Sequence, residues 1–362
     1  MFPVSDKHIN CKCGLHLTEY QEINHETGKR GFYNSKGKFT NCNSRDHLTR
    51  EQYNQIIPQI VQEFVNAGCY ATIQHFTKPC KLTYYNSLCK DTTSLDEITS
   101  QKTTEGNKFL RSYMSHIYET SDYQGSTILN LWTAENLVKA FTLLDQPKYT
   151  VNSYLSEILK RLKFSPVTMY PPLMTKGLLT TYDCHSVFDP CVGWGGRMLG
   201  TTCLGAHYTG CEPYTQTYQG LTRMIHELHL HESTTLYNRG VETMLDELDN
   251  QTFDACITSP PYFNLEIYSD ESTQSIQKYP TYDEWIHKFI KPIIDYVCSH
   301  VTKVSCWSVK NIKTETTYPL LDDVIQLHKV HGWNLLGNHS IKKNVRGKMA
   351  DGDITYVFTK HT

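Results

Sequence analysis

Two short stretches of the chain bring together residue types that can do chemistry. The first is Phe188-Asp189-Pro190-Cys191-Val192-Gly193-Trp194-Gly195-Gly196-Arg197, in which a short apolar run ends in an acid and passes through glycines toward a helical stretch. Glycines let the backbone pass close to a ligand, and a helix start offers it free N–H groups. Glu212 stands 19 residues beyond Gly193, at the end of the next expected strand, where a carboxylate can take the hydroxyls of a ribose. Met198 occupies the place of the last glycine of G-x-G-x-x-G, which disfavours a diphosphate-cradling dinucleotide site. A tight turn packing helix on strand would use the same glycines. The second stretch is Thr258-Ser259-Pro260-Pro261-Tyr262, directly after the apolar run of residues 253–257. Two prolines remove two N–H donors, so the chain there presents carbonyl oxygens and the Ser259 hydroxyl as acceptors. Tyr262 adds a flat face on which a base can stack. An exocyclic amine offered to such a loop has its hydrogens held and its lone pair turned toward an electrophile.

Together, DPCVGWGG and SPPY resemble the S-adenosylmethionine-dependent amino-methyltransferases of DNA, the cytosine-N4 and adenine-N6 type. Those enzymes carry a D-P-x-x-G-x-G cofactor loop and a catalytic [S/D/N]-P-P-[Y/F]. The resemblance covers roughly residues 150–362, with soft boundaries. It implies an α/β Rossmann-like class I methyltransferase fold, with a seven-stranded sheet that ends in an antiparallel pair. It implies S-adenosylmethionine as cofactor, with Asp189 beside the methionine part, and with Pro190, Gly193, Gly195 and Gly196 in the loop. Glu212 then meets the ribose and Glu242, in Arg239-Gly240-Val241-Glu242, approaches the adenine. Phe164, in Phe164-Ser165-Pro166, looks like the further cofactor segment that precedes the loop. Ser259, Pro260, Pro261 and Tyr262 become the catalytic motif, DNA the partner, and direct transfer to a flipped base the reaction. Serine in the first motif position leans toward cytosine N4 and leaves adenine N6 open. An RNA base is the alternative target. A nucleic-acid-binding protein with an inert domain is the alternative class, against which both intact motifs argue. Enzymes that methylate protein amines usually carry Asn where this chain has Ser259.

Other clusters are weaker. Pro79-Cys80 and Pro190-Cys191 could suggest a covalent cysteine mechanism, but neither follows the cofactor loop at a catalytic strand end. Cys11, Cys13, Cys42 and His47 could hold zinc, yet Cys-Lys-Cys has one intervening residue rather than the usual two to four, so scattered thiols are expected. His226, His229 and His231 make a poor ligand face and read as solvated. Residues 263–282 are polar and aperiodic, either a mobile flap over the substrate or a surface connection. Lys342, Lys343, Arg346 and Lys348 fall in an expected turn between the last two strands, where they could hold nucleic-acid phosphates or simply tip a hairpin.

The elements that must position these residues follow from pattern. Beyond about residue 150, strands at Ser186–Asp189, His207–Cys211, Thr234–Tyr237, Phe253–Thr258 and 304–309 alternate with helical stretches at 198–204, 218–229, 285–298 and 320–331. That alternation argues for an open, mostly parallel sheet. Closing strands at 333–341 and 354–359 have no helix between them and should pair as an antiparallel edge hairpin. Upstream, helices are expected through Ile56, Ile57, Ile60, Val61, Phe64 and Val65, stopping at Gly68, with Pro58 as a place to start late or kink, and through Leu129 to Leu144. Residues 69–123 give no clear pattern. Residues 1 to about 45 read as a small irregular or β-rich module, and residues 1–50 hold eight Lys/Arg against five Asp/Glu. The expected division is an accessory, target-recognition α+β domain over residues 1–147 and a methyltransferase domain over 148–362, because no room for a recognition module remains elsewhere. The full chain of 362 residues is 39% apolar and 20% charged, which excludes an integral membrane or disordered protein. Its net charge of -2 leaves nucleic-acid binding to local patches. Thirteen cysteines and no export signal at the start point to reduced thiols in the cytoplasm.

Overall fold

The computed structural model describes residues 22–23, 30–33, 39–40, 50–73, 76, 78–100, 106–143, 155, 158–164, 167–345 and 348–360. The chain divides into two compact units of two segments each, Met1–His75 with Ser126–Val167, and Phe76–Gly125 with Thr168–Thr362. That differs from a single cut after residue 147.

In the first unit, helix Arg50–Ala67 runs unbroken across Pro58 and stops at Gly68, whose φ of 71° lets its N–H return to the Phe64 carbonyl at 3.0 Å. Its apolar stripe of Ile57, Val61 and Phe64 packs on Leu137, Ala140 and Phe141 of helix Ala134–Thr142 and on Ile158. The Trp132 indole N–H donates to the Phe64 carbonyl at 2.9 Å. Strands Glu22–Ile23, Arg30–Tyr33 and Phe39–Thr40 form a three-stranded antiparallel sheet, in keeping with a β-rich start. The zinc candidates Cys11, Cys13, Cys42 and His47 lie outside the described residues. Among the described residues no His, Cys, Asp or Glu cluster is arranged to hold a metal ion.

The second unit is built on seven strands: β1 (Ser186–Asp189), β2 (His207–Cys211), β3 (Thr234–Tyr237), β4 (Phe253–Thr258), β5 (Val301–Ser308), β6 (Asn334–Val345) and β7 (Lys348–Thr359). Their order across the sheet is β6-β7-β5-β4-β1-β2-β3. The pairs among β5, β4, β1, β2 and β3 are parallel, and β7 is antiparallel to both β5 and β6. Phe188, Cys256, Trp307 and Phe358, one from each of four neighbouring strands, share a buried core with Trp285, Ile290, Ile293 and Val297. The edge hairpin is longer than expected. Lys342 pairs across from Asp351 and Lys343 from Ala350, so most of the basic stretch is strand rather than turn. Lys348 opens β7, and Arg346 lies outside the described residues.

Residues 76–125 belong with this sheet because their contacts are distant in sequence. Helix α1 (Lys78–Lys90) is closed by Lys176, from helix α3 (Pro172–Thr181), after the short helix α2 (Leu95–Ser100). The buried Lys176 ammonium donates to the carbonyls of Leu88, Cys89 and Asp91 at 2.7, 3.0 and 2.6 Å, a cation on the negative end of a helix. Tyr113 and Lys81 both donate to Glu227 at the end of helix α5, at 2.8 and 2.7 Å; helices α4 (Gly196–Thr202) and α5 (Thr215–Glu227) follow β1 and β2. Among the described residues no helix is long and apolar enough to cross a membrane.

Strand order reverses at β1. The chain proceeds from there to β2 and β3 on one side and returns to β4 on the other, so the loops leaving the carboxyl ends of β1 and β4 diverge and leave a crevice.

Candidate active site

One cavity at that crevice is lined by both motif-bearing loops. From the β1 loop come Pro190, Gly193, Trp194, Gly196 and Arg197; from the loop after β4 come Ser259, Pro261 and Tyr262. Glu212 joins from the end of β2 and Glu242 from the turn after β3. Four of the expected residues stand elsewhere. Phe164 belongs to the other unit, and the segment that borders the cavity just before the sheet is residues 168–171. Gly195, Pro260 and Asp189 do not line the cavity.

Asp189 is fully buried under the loop and its carboxylate is engaged on every side. Oδ2 accepts from Arg197 Nε and from the Tyr208 hydroxyl, both at 2.7 Å. Oδ1 accepts from the Thr258 hydroxyl at 3.0 Å and the Cys191 N–H at 3.2 Å. The acid therefore ties β1, β2 and β4 together and is not free for a ligand. Arg197 completes the lock: its Nη2 donates to the carbonyls of Cys191 and Val192. Gly195 serves packing, since at φ 82° a Cβ there would stand 2.7 Å from Leu221 Cδ2. A Cβ on Gly196 would stand 1.9 Å from the Tyr170 carbonyl, so only glycine lets segment 168–171 lie on the start of α4.

Gly193 differs. It has φ 56°, and a Cβ there would meet nothing within 4 Å. Its N–H donates to Glu212 Oε2 at 2.8 Å, while Glu212 Oε1 accepts from the Tyr214 N–H at 2.8 Å. Burial pushes the Glu212 carboxyl up to about 8, against the pull of those two N–H donors. Glu242 is almost wholly enclosed. Its Oε1 accepts from the Lys278 ammonium at 2.6 Å, and its Oε2 is buried with no hydrogen-bond partner. An adenosyl group fits this donor set: Glu212 can take the ribose hydroxyls, the open ground at Gly193 admits a close approach, and Glu242 Oε2 has an unused acceptor for an amine. The expected roles at Glu212 and Glu242 are thus geometrically available, and the one at Asp189 is not.

On the other side of the cavity, the Tyr262 ring is held by its hydroxyl, which donates to the Ser308 carbonyl at 3.3 Å, and by the Lys310 ammonium 5.1 Å from the ring centroid. Burial raises the Tyr262 hydroxyl above its ordinary range, so it stays protonated and a donor. Ser259 and Tyr262 face the cavity while Pro260 is buried, which leaves the serine hydroxyl as the better-placed acceptor.

Several lining residues have no signature in the sequence. The 263–282 stretch supplies Glu266, Tyr268, Gln274 and Ser275. It is tied down at two points: strand Glu266–Ile267 pairs with Ser121–Asp122, and Glu271 accepts from the N–H of Thr215, the first residue of α5. Burial raises the Glu266 carboxyl above its usual range; it accepts from the Tyr268 hydroxyl at 2.5 Å. Asp353 of β7 also borders the cavity and accepts from Thr168 at 3.0 Å.

Fold and site together define an α/β chain with a Rossmann-like, mostly parallel seven-stranded sheet and a cavity at its switch point. No protein-family model and no curated protein matches the chain. Solved structures that it resembles include magnesium protoporphyrin IX methyltransferase from Synechocystis with S-adenosylmethionine bound, at 12% identity over 52% of this chain and 79% of that one, with TM-score 0.35. Precorrin-6y C5,15-methyltransferase from Geobacter metallireducens matches at 12% identity over 52% and 86%, with TM-score 0.36. An S-adenosylmethionine-dependent methyltransferase from Agrobacterium tumefaciens matches at 10% identity over 54% and 64%, with TM-score 0.39.

Proposed function

We propose that this protein is an S-adenosylmethionine-dependent methyltransferase that acts on an exocyclic amine of a base in DNA, cytosine N4 ahead of adenine N6. The observation that carries the reading is that Ser259 and Tyr262 open into the same cavity as Glu212, Glu242 and Gly193. An amine-holding loop and an adenosyl-holding loop thereby share one enclosed space.

In this reading the residues divide the work. Glu212 and Glu242 hold the adenosyl end, and the cofactor when bound supplies an electrophilic methyl group. Ser259 Oγ accepts an N–H of the target amine and turns its lone pair inward. The ring of Tyr262 offers a face to the base, which must leave the helical stack to reach it. Catalysis then consists mainly of positioning. Target recognition falls to the unit that contains residues 1–75, and the basic residues Lys342, Lys343, Arg346 and Lys348 supply phosphate contacts.

The test is to express the chain in a host free of DNA methylation and map modified bases by type and context. N4-methylcytosine or N6-methyladenine in a fixed sequence context is the expected result. Methylation confined to RNA, or none from a protein that binds the cofactor, would overturn the DNA reading. Within an active protein, Tyr262→Ala is expected to weaken base binding by about 1–3 kcal/mol. Tyr262→Phe keeps the ring and should retain most of the activity. Ser259→Ala removes one neutral hydrogen bond and should slow turnover by about 1 kcal/mol, roughly fivefold. Unchanged steady-state kinetics in both alanine variants would remove the amine-holding role.

A further inference from the structure

Two cysteines meet outside the cavity, at the ends of two different helices of the second unit. Cys89 is the last residue but one of α1, and Cys203 directly follows α4. Their thiols share a hydrogen bond, and the Tyr85 hydroxyl stands within reach of both. Both cysteines are free and half-buried, and Leu204 and Gly205 beside Cys203 are exposed, so a small reagent has access. Helix α3 brings the two helix ends together. Its Lys176 ammonium donates to the Cys89 carbonyl at 3.0 Å, and a Cβ on Gly200 of α4 would collide with the carbonyl of Pro172 at the start of α3.

The pair is unequal. The hydrogen bond from Cys203 draws the Cys89 thiol down to about 7, with the Tyr85 hydroxyl and the Lys176 ammonium adding to the pull and burial opposing it. Cys203 is pushed up, first by that same hydrogen bond and then by burial. Near neutral pH, Cys89 is therefore in good part a thiolate, the nucleophilic form, and Cys203 is a thiol that donates to it. Burial pushes the thiols of Cys184, Cys191, Cys211, Cys256, Cys298 and Cys306 up instead, as suits cysteines that only pack.

We propose that Cys89 and Cys203 form a redox-active dithiol, a modification site that low-molecular-weight disulfides oxidise to an intramolecular disulfide. The Cys89 thiolate attacks one sulfur of the reagent, which forms a mixed disulfide and releases one small thiolate. That step removes the negative acceptor that held the Cys203 proton. Cys203 gives the proton to the released thiolate and attacks Sγ of Cys89. The Cys89–Cys203 bond forms, the mixed bond breaks, and the second small thiolate leaves and takes up from solvent the proton that Cys89 had given up. The dithiol is oxidised by two electrons and the reagent is reduced to two thiols. The product ties α1, across roughly a hundred residues of chain, to the helix that starts at the glycine loop. The site does not depend on what the cavity binds.

The test is to hold the folded full chain in oxidised glutathione at neutral pH, block the remaining thiols with iodoacetamide and map its peptides without reduction. The expected product is a peptide pair joined through Cys89 and Cys203, with a melting temperature above that of the reduced chain until dithiothreitol reverses it. In Cys203→Ser the reaction should stop with glutathione on Cys89. In Cys89→Ser, Cys203 should carry less glutathione than that by roughly tenfold or more, because it lacks thiolate character. A thermal melt shows whether each variant is folded, and the wild-type map decides where one is not. A wild-type chain that keeps both thiols, stops at a mixed disulfide or joins Cys89 to another cysteine would overturn the proposal. So would equal glutathione on the two folded variants.

Discussion

Asp189→Ala is expected to destabilise the fold by about 3–5 kcal/mol, the range for breaking one side of a buried ion pair. The Arg197 guanidinium is itself buried, and alanine would leave it without its counter-ion while Tyr208 and Thr258 lose the acceptor of their hydroxyls. Against a usual stability of about 5–15 kcal/mol that is a large fraction, and at about 2–4 °C per kcal/mol it lowers the melting temperature by roughly 6–20 °C. Asp189→Asn keeps the size but not the charge and should fall between. Denaturant titration checks the order. The informative outcome is the comparison with ligand affinity: a variant as stable as wild type that has lost cofactor binding would restore Asp189 as a ligand group. The geometry predicts the opposite, loss of fold first, because all of its hydrogen bonds run within the protein.

That contrast shows which parts of the site the sequence carries. An acid at the end of a strand before a glycine turn is visible as a pattern, and the strands at Ser186–Asp189, His207–Cys211 and Phe253–Thr258 agree with their apolar runs to the residue. What the acid does depends on Arg197, Tyr208 and Thr258, which lie 8, 19 and 69 residues away and meet it only when β1, β2 and β4 are side by side. The same limit hides residues 76–125. Helix α1 has no strong apolar period, and its closing cation, Lys176, comes from 85 to 88 residues downstream. It hides the segment before β1 as well, where the close approach of Gly196 to the Tyr170 carbonyl selects residues 168–171 over the expected segment at Phe164. Gln274 escapes for a related reason. Its stretch is polar and aperiodic because it is held at separate points, by the buried Phe263 ring and by charged contacts at Glu271 and Lys278, rather than by one periodic apolar face. Pro58 misleads in the other direction, since the stripe of Ile57, Val61 and Phe64 continues through it.

Glu212 supports the second large effect, on cofactor binding and its dependence on pH. Its carboxyl is raised from 4.5 to about 8, chiefly by burial, with Asp189 adding to the rise and with Arg197 and the Tyr214 and Gly193 N–H groups opposing it. In the free protein the acid therefore keeps its proton between pH 4.5 and about 8, where the unfolded chain has lost it. The folded state binds more protons over that window, so this group's contribution to stability is complete below pH 4.5 and is lost as pH rises through about 8. A ribose works in the opposite sense. Two hydroxyls that donate to the carboxyl favour its ionised form, so binding should expel the proton and affinity should climb as pH rises toward 8. Calorimetry at pH 7 in buffers of different ionisation enthalpy is expected to register close to one proton released per adenosyl ligand bound. Glu212→Gln should abolish that release, flatten the pH profile and weaken binding by about 1.5–3 kcal/mol, the range for hydrogen bonds to a charged group. A wild-type affinity that is flat from pH 6 to 9, or a Glu212→Gln variant that keeps the same slope, would place the ribose elsewhere in the cavity.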